Sequence, residues 1–166
     1  MSPIGSNPRS FPASNRPLPG STKQNVQLSS SPTSAAWHWT RADLDEIHDR
    51  LRQHLAKYGD HLDAIYVCPH EIGQCHCRKP DIGLFEQAFF DFPGERPGNS
   101  AMIGDSLSDI QAGARLGMAT IFVPGDFSTQ KPGAERARQF ATATATSLLD
   151  CVRRHLGMDE VEREDS

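Results

Sequence analysis

The chain contains 166 residues, which is enough for one domain, and 37% of them are hydrophobic. Its formal net charge of −4, without a basic run, argues against a nucleic-acid surface. The sequence has no apolar run of the roughly 18 residues that a membrane span needs, and no charged start followed by an apolar stretch. It therefore predicts neither a membrane span nor a secretory signal.

Residues 1–39 are rich in Ser, Pro, Asn and Gly, and their apolar residues follow neither a helical nor a strand period. A segment of this composition buries too little apolar surface to offset the entropy of an ordered chain. We therefore predict a disordered segment at residues 1–39. A folded domain is expected at residues 40–156, followed by an acidic tail at 157–166.

The first predicted helix begins after Thr40, which is a good N-cap, and ends near Gly59. Asp43 and Asp45 place negative charge in its first turn, where the helix dipole favours it. One face carries an apolar stripe at steps of three and four residues, formed by Leu44, Ile47, Leu51, Leu55 and Tyr58. The apolar run that follows, at residues 62–67, is typical of a buried strand.

Four metal-ligating side chains follow that run at C-x-H-x4-C-x-C spacing, namely Cys68, His70, Cys75 and Cys77. Zinc favours four Cys and His ligands in a tetrahedron, and short spacings let one loop supply all of them. His76 is an alternative ligand, and a reduced exposed loop or an internal disulfide is the alternative to a metal site. Three of the four cysteines lie in this loop, which fits a reducing compartment, and we expect the cytoplasm.

The next part of the chain alternates helices and short apolar strands. Helices are predicted at residues 81–91, 108–116 and 147–156, and strands at 100–103 and 120–123. Pro80 suits the start of the first of these helices, and Gly117 suits the end of the second. Residues 127–146 are mostly polar and receive no assignment. The alternation predicts an α/β fold with a parallel sheet.

Asp105 lies just past the predicted strand at 100–103, at the sheet edge where open α/β folds bind ligands. Asp109 is four residues on, so the two carboxylates would share a face if both lay in the first helical turn. Mg²⁺ takes carboxylate oxygens together with water and substrate phosphate. The alternative is that Asp105 or Ser106 caps the helix and that Asp109 favours its dipole.

Four runs of residues, taken in this order, are specific to one family. They are T-x-x-D-L at 40–44, D-A-I-Y-V-C-P-H at 63–70, C-x-C-R-K-P at 75–80 and M-I-G-D-S-L-S-D-I-Q-A-G at 102–113. The chain thereby resembles the haloacid dehalogenase superfamily of phosphohydrolases, in the branch of the heptose bisphosphate and histidinol-phosphate phosphatases. The resemblance covers about residues 40–123. It implies a partial doubly wound parallel sheet whose early strands are missing.

The resemblance also implies metal ligands and a substrate class. Cys68, His70, Cys75 and Cys77 match the structural zinc ligands of the family, and Asp105 matches a Mg²⁺ ligand. The implied cofactors are therefore Zn²⁺ and Mg²⁺. The implied partner is a small sugar phosphate, bound by a monomer.

Four further residues are assigned through the same motifs. Arg78 matches a residue that recognises the substrate, and Lys79 matches the lysine that steadies the transferring phosphoryl group. Asp109 matches a supporting acid. Ser106 lies at a substrate-binding position where many of the heptose bisphosphate phosphatases carry lysine. This difference weakens the assignment of the substrate more than it weakens the assignment of the reaction.

The family's nucleophile is not recognisable in this sequence. The family's reaction uses one Asp as nucleophile and a second, two residues on, as acid and base, in a D-x-D-G sequence after the first strand. The first aspartate here is Asp43, and neither D-x-D-G nor the family's phosphate-binding T-N-Q-S-G is present. We therefore expect a magnesium-dependent sugar-phosphate phosphatase by family that is inactive in this form. The alternatives are a non-catalytic zinc-binding or scaffold module and a phosphatase of histidinol phosphate or another small ester.

A shifted reading frame would explain the unusual composition of residues 1–39. A nucleotide sequence that encodes Val-Val-Val-Thr-Asn-Gln-Ser gives Ser-Ser-Ser-Pro-Thr-Ser when it is read one nucleotide later, and that is the sequence at residues 29–34. We therefore hypothesise that residues 1–39 are an out-of-frame reading of the family's first third. Loss of the early strands, which this part of the family's sequence encodes, predicts low stability or aggregation.

Overall fold

A computed structural model of the protein describes residues 40–59, 61–70, 73–126, 128 and 130–155. The predicted disordered segment at 1–39, its out-of-frame interpretation and the acidic tail at 157–166 all lie outside these residues. The chain divides into two compact units, with the boundary after Ala88. Within the described residues, no helix has the length and apolar character to span a membrane.

The first unit opens with helix α1 (Arg41–Ala56). Thr40 is its N-cap, as predicted: the Thr40 hydroxyl accepts a hydrogen bond from the Asp43 backbone N–H, and the Asp43 carboxylate accepts one from the Thr40 N–H. The helix ends at Ala56, three residues before Gly59, and Lys57 is its C-cap. Gly59 has a φ of 77°, in the left-handed region that favours glycine, and therefore lies in the turn after the helix.

The strand predicted at residues 62–67 is wrong. These residues, all of which the structure describes, are extended or bent without a hydrogen-bonded ladder, and most are half-buried. An apolar run indicates burial, whereas a strand also needs a neighbour with which to pair its backbone. The loop that follows leads into helix α2 (Gly83–Asp91). This helix begins two residues later than the sequence predicted.

The second unit contains a three-stranded parallel sheet in the order β1–β2–β3. Its elements, in chain order, are β1 (Ala101–Gly104), α3 (Leu107–Arg115), β2 (Ala119–Phe122), α4 (Ala134–Phe140), β3 (Ala143–Thr144) and α5 (Leu148–His155), and a short 3₁₀ turn (Pro97–Asn99) precedes β1. The predicted α/β class with a partial parallel sheet is confirmed. The polar stretch left without an assignment contains α4 and β3.

Strand β2 separates two hydrophobic cores, because neighbouring side chains of a strand point to opposite faces of the sheet. Phe122 packs with Ile110 of α3 and with the α4 alanines on one face. Ile121 packs with Cys151 of α5 and with the β3 region on the other. Helices therefore cover both faces of the sheet, which is the doubly wound arrangement.

Gly113 is the point at which α3 lies closest to the sheet. A Cβ atom at Gly113 would lie 2.7 Å from Met102 Cβ and 2.8 Å from Thr120 Cγ2. We expect Gly113→Ala to lower the free energy of unfolding by about 1–3 kcal/mol through overpacking, which outweighs the helix propensity of alanine. Urea unfolding measures the change. Gly98→Ala is the matched control, because a Cβ atom there meets open space, and an equal loss in both variants would contradict the packing argument.

Candidate functional site

The four predicted zinc ligands converge in the first unit. Cys68 Sγ, His70 Nδ1 or Nε2, Cys75 Sγ and Cys77 Sγ supply one ligand atom each, and the four atoms lie within 4.8 Å of one another. Cys68 is fully buried, Cys75 and Cys77 are half-buried, and His70 is exposed. The four residues, which are separated in the sequence, thus form a compact cluster, because the loop brings its two ends together.

The sulfur–sulfur distances within the cluster are too long for a disulfide and are shorter than those between the sulfurs of a zinc tetrahedron. The sulfur of Cys77 lies 2.8 Å from that of Cys75 and 3.1 Å from that of Cys68, and the Cys68 and Cys75 sulfurs are 3.4 Å apart. A disulfide bond is about 2.05 Å long, and all three cysteines are free. The sulfurs of a zinc tetrahedron with bonds of about 2.3 Å lie about 3.8 Å apart. The donor set of three thiols and one imidazole suits zinc.

The thiols of the cluster differ in acidity. The hydrogen bond that Cys77 donates lowers the pKa of the Cys75 thiol to about 6. Desolvation by burial, followed by the hydrogen bonds with Cys75 and Cys68, raises the pKa of the Cys77 thiol to about 12. A cation among the sulfurs would favour loss of the thiol protons, because metal ligands must be deprotonated.

His76, the alternative ligand, holds the loop through its backbone. Its carbonyl oxygen accepts a hydrogen bond from the Gly83 N–H at 2.9 Å, and a Cβ atom at Gly83 would lie only 2.6 Å from that oxygen. Its imidazole is not in the group of converging ligands among the described residues. The end of the cysteine loop is therefore tied to the start of α2.

The two cations that follow the loop are half-buried. The Nη1 of Arg78 donates a hydrogen bond to the carbonyl oxygen of His70 at 3.0 Å, so the guanidinium is attached to the same loop that carries the cluster. Lys79 precedes Pro80 through a cis peptide bond. Both cations thus lie next to the cluster in the chain, as the sequence predicted.

In the second unit, Asp105 lies directly after β1, at the carboxyl edge of the sheet. Its Oδ1 accepts a hydrogen bond from the Nζ of Lys131 at 2.8 Å. Asp105 also precedes the N-cap of α3, which is Ser106. Asp105 is therefore not in the first helical turn, and the condition under which it would share a helical face with Asp109 is not met.

Asp109 belongs to a capping box. Its Oδ2 accepts hydrogen bonds from the Ser106 backbone N–H at 3.1 Å and from the Ser106 hydroxyl at 2.6 Å, and the Asp109 N–H donates to Ser106 Oγ at 3.3 Å. Gly104 leaves room for this carboxylate, since a Cβ atom at Gly104 would lie 2.3 Å from Asp109 Cβ. The capping alternative thus describes the contacts between Ser106 and Asp109, which hold the turn directly after Asp105.

Sequence reasoning missed Lys131. It lies in the polar stretch whose residues follow neither a helical nor a strand period. A single lysine in such a stretch does not indicate a functional residue. Its pairing with Asp105, 26 residues earlier, depends on how the chain between β2 and α4 folds back over the sheet edge.

Ser106 can be tested as a helix cap separately from any role with substrate. We expect Ser106→Ala to lower the free energy of unfolding by about 1–2 kcal/mol, because α3 loses its N-cap and Asp109 loses a partner. Thermal or urea unfolding measures the loss. Ser108→Ala is the control: Ser108 is half-buried and its hydroxyl reaches Ser106 Oγ, but it does not cap the helix. Equal stability of the two variants would refute the capping role.

Comparisons with known proteins agree with the sequence motifs. Residues 76–151 match the family model described as HAD-hydrolase-like. Over these residues the chain is similar to the haloacid dehalogenase superfamily, as its motifs indicated. A D-glycero-alpha-D-manno-heptose-1,7-bisphosphate 7-phosphatase from Campylobacter jejuni is 35% identical over 102 residues, which are 58% of each chain. The corresponding beta-anomer enzyme of Haemophilus ducreyi is 44% identical over 57% of this chain and 54% of its own.

A solved structure supports the same relationship. It is the crystal structure of D,D-heptose 1,7-bisphosphate phosphatase from B. bronchiseptica, complexed with magnesium and phosphate. It matches 70% of this chain and 65% of its own length, with 29% sequence identity and a TM-score of 0.59. The chain spans roughly half the length of the curated relatives it matches. The predicted superfamily and fold are confirmed.

Proposed function

We propose that this haloacid dehalogenase domain belongs to a magnesium-dependent phosphatase of D-glycero-D-manno-heptose 1,7-bisphosphate. The observation that carries the proposal is the convergence of Cys68, His70, Cys75 and Cys77 directly before Arg78 and Lys79. Relatives that match more than half of the chain are named heptose-1,7-bisphosphate 7-phosphatases. We further propose a folded domain at residues 40–156, a cytoplasmic location, supported by the clustered free cysteines, and a monomeric state.

We propose zinc as the metal of the cysteine loop. The support is the donor set, since three thiolates and an imidazole are soft or borderline ligands that select zinc over magnesium. Four protein ligands leave no open coordination position, so the proposed role is structural. The loop then holds Arg78 through the His70 carbonyl and presents Arg78 and Lys79 to an anionic substrate.

We assign Asp105 as the carboxylate ligand of magnesium. It lies directly after β1, at the sheet edge where α/β folds bind ligands. Such a position suits a cation that takes one or two carboxylates plus substrate phosphate. Bound magnesium would neutralise charge on the phosphoryl oxygens. For Lys79 we propose, from the sequence motif alone, that its ammonium stabilises a phosphoryl group of the substrate.

The catalytic step needs more than the described residues supply. A phosphoryl group that transfers to an aspartate requires a nucleophile and a neighbouring acid, and no D-x-D-G sequence occurs in the 166 residues. We therefore propose that this chain by itself binds the phosphate ester without turning it over. This absence also favours the second candidate, a non-catalytic zinc-binding module.

Ligand binding separates the two candidates. We expect the zinc-loaded chain, in the presence of Mg²⁺, to bind heptose 1,7-bisphosphate more tightly than histidinol phosphate by isothermal titration calorimetry. Lys79→Ala should weaken binding about tenfold or more, because a hydrogen bond to a charged group is lost. Lys57→Ala, at the exposed C-cap of α1, is the matched control. Binding of neither ester, or equal binding by both lysine variants, would contradict the proposal.

A further inference from the structure

Lys131 and Asp105 form an ion pair that joins distant parts of the second unit. The Lys131 Nζ lies 2.8 Å from Asp105 Oδ1, and the side chains are 54% and 43% exposed, respectively. The two residues are 26 positions apart, so the pair is not a contact between neighbouring turns of one helix. It brings the connection between β2 and α4 to the carboxyl end of β1.

The backbone on either side of Lys131 fixes its position. The Lys131 carbonyl oxygen accepts a hydrogen bond from the Ala134 N–H at 3.3 Å, which closes a turn before α4. Gly133, within that turn, has a φ of 84°, and a Cβ atom there would lie 3.4 Å from Leu107 Cδ2. The turn is thus packed against the start of α3, the helix that follows Asp105.

The same connection also approaches the second oxygen of the carboxylate. A Cβ atom at Gly125 would lie 3.6 Å from Asp105 Oδ2. Lys131 therefore reaches Oδ1 while the backbone at Gly125 passes beside Oδ2. Both oxygens of the assigned magnesium ligand have neighbours from one connecting segment.

We propose that Lys131 competes with a divalent cation for Asp105 and thereby sets how tightly the site binds that cation. Mg²⁺ binds a carboxylate oxygen directly, at about 2.0–2.1 Å. An ammonium 2.8 Å from the same oxygen both occupies that oxygen and repels the incoming charge. The ammonium must therefore leave Oδ1 when the cation binds there.

The inference rests on the proposed function only in taking Asp105 as the cation ligand. The alternative is an exposed ion pair that merely holds the connection in place. Removing such a pair would leave cation affinity unchanged, or would weaken it by loosening Asp105. A gain in affinity on removal of the lysine is therefore specific to competition.

Manganese is a suitable probe, because free Mn²⁺ is counted directly by electron paramagnetic resonance. The zinc-saturated chain and its Lys131→Met variant are titrated with Mn²⁺ at constant ionic strength. We expect Lys131→Met to lower the dissociation constant about two- to fivefold, the range of an exposed ion pair. Lys131→Arg retains the positive charge and should restore the parent value within about twofold.

Asp105→Asn separates failure of this inference from failure of the proposed function. If Asp105→Asn abolishes Mn²⁺ binding and Lys131→Met binds no more tightly than the parent chain, the inference that Lys131 competes with the cation is wrong. The assignment of Asp105 as the cation ligand then stands. If Asp105→Asn binds Mn²⁺ as the parent does, or if no chain binds it saturably, both are wrong. Tighter binding by Lys131→Met that disappears when Asp105→Asn is added supports the inference.

Discussion

Replacing Cys77 with serine is expected to abolish zinc binding and to unfold the cysteine loop. The Cys77 sulfur lies within 3.3 Å of three other candidate ligand atoms, those of Cys68, His70 and Cys75. A serine hydroxyl keeps the size of the side chain but is a poor ligand for zinc at neutral pH. Metal content should fall from about one zinc per chain to near zero, because structural zinc sites bind with about 10–16 kcal/mol.

The effect on folding should be as large as the effect on metal content. Zinc binding at a loop that is not preformed contributes directly to folding free energy, and a single domain is stable by only about 5–15 kcal/mol. We therefore expect the Cys77→Ser chain to lose its cooperative thermal transition or to melt far below the parent. Elemental analysis after gel filtration under reducing conditions, followed by calorimetry, measures both quantities.

Cys151→Ser provides the matched control. Cys151 is also a free, fully buried cysteine, but it lies in α5 and packs against Ile121 and Ala143 in the second unit. Burial raises the pKa of its thiol to about 11, so it remains protonated at neutral pH. This variant should retain one zinc while losing some stability. Retention of zinc by Cys77→Ser, or its loss from Cys151→Ser, would refute the four-ligand assignment.

The elements that could be predicted from sequence are those whose signals are local. Each of these signals comes from residues that are only a few positions apart in the sequence. They are the cap of α1 at Thr40, the apolar residues of β1 and β2, and the spacing of the cysteine loop. A cap, a strand edge and a ligand cluster need no information from distant parts of the chain. Their positions were therefore correct within one or two residues, whereas the end of α1 was placed too late.

The remaining features depend on contacts between distant residues. The run at residues 62–67 is apolar enough for a strand, but pairing depends on a neighbour that its own sequence does not contain. Strand β3 has only two residues and exists because Ala143 pairs with Ile121, so no period could reveal it. The N-cap of helix α4 is Gly133, which has no side chain to cap the helix, so the usual N-cap signal is missing.

Asp109 illustrates an ambiguity that sequence alone does not resolve. A carboxylate after a strand fits both a metal site and a capping box, and the same residue types serve both. What decides between them is the orientation of the side chain, and Gly104 gives the Asp109 carboxylate the space to turn back onto Ser106. Asp105, one residue before the cap, is left facing Lys131.

The 166-residue chain by itself is expected to release no phosphate from heptose 1,7-bisphosphate. Enzymes commonly turn over at about 1–1,000 per second, and loss of a nucleophile removes most of that rate. We therefore expect at least a 10,000-fold lower rate, on the order of the assay background, than that of a related heptose bisphosphatase assayed in parallel. Release of inorganic phosphate with Mg²⁺ and zinc present measures the rate. Turnover near that of the reference enzyme would overturn the argument.

The gene provides an independent test of why the nucleophile is missing. If residues 1–39 are an out-of-frame reading, another forward frame upstream of the Thr40 codon should encode a D-x-D-G sequence and a T-N-Q-S-G sequence. A protein translated from the joined frame should then hydrolyse the bisphosphate. If neither motif occurs in any upstream frame, the frameshift hypothesis is wrong, although the inactivity of this chain would remain to be measured.

Asp43 and Asp45 deserve a direct control, because they are the chain's one pair of aspartates two residues apart. Asp43 caps α1: it accepts hydrogen bonds from the Thr40 N–H and hydroxyl, each at 2.7 Å, and these lower the pKa of its carboxyl group. Its contribution to stability is therefore present above the ordinary carboxyl pKa and is lost as the pH falls through the lowered value. Asp43→Asn should weaken α1 without changing phosphate release, and a phosphoaspartate trapped at Asp43 or Asp45 would show that the chain has a nucleophile after all.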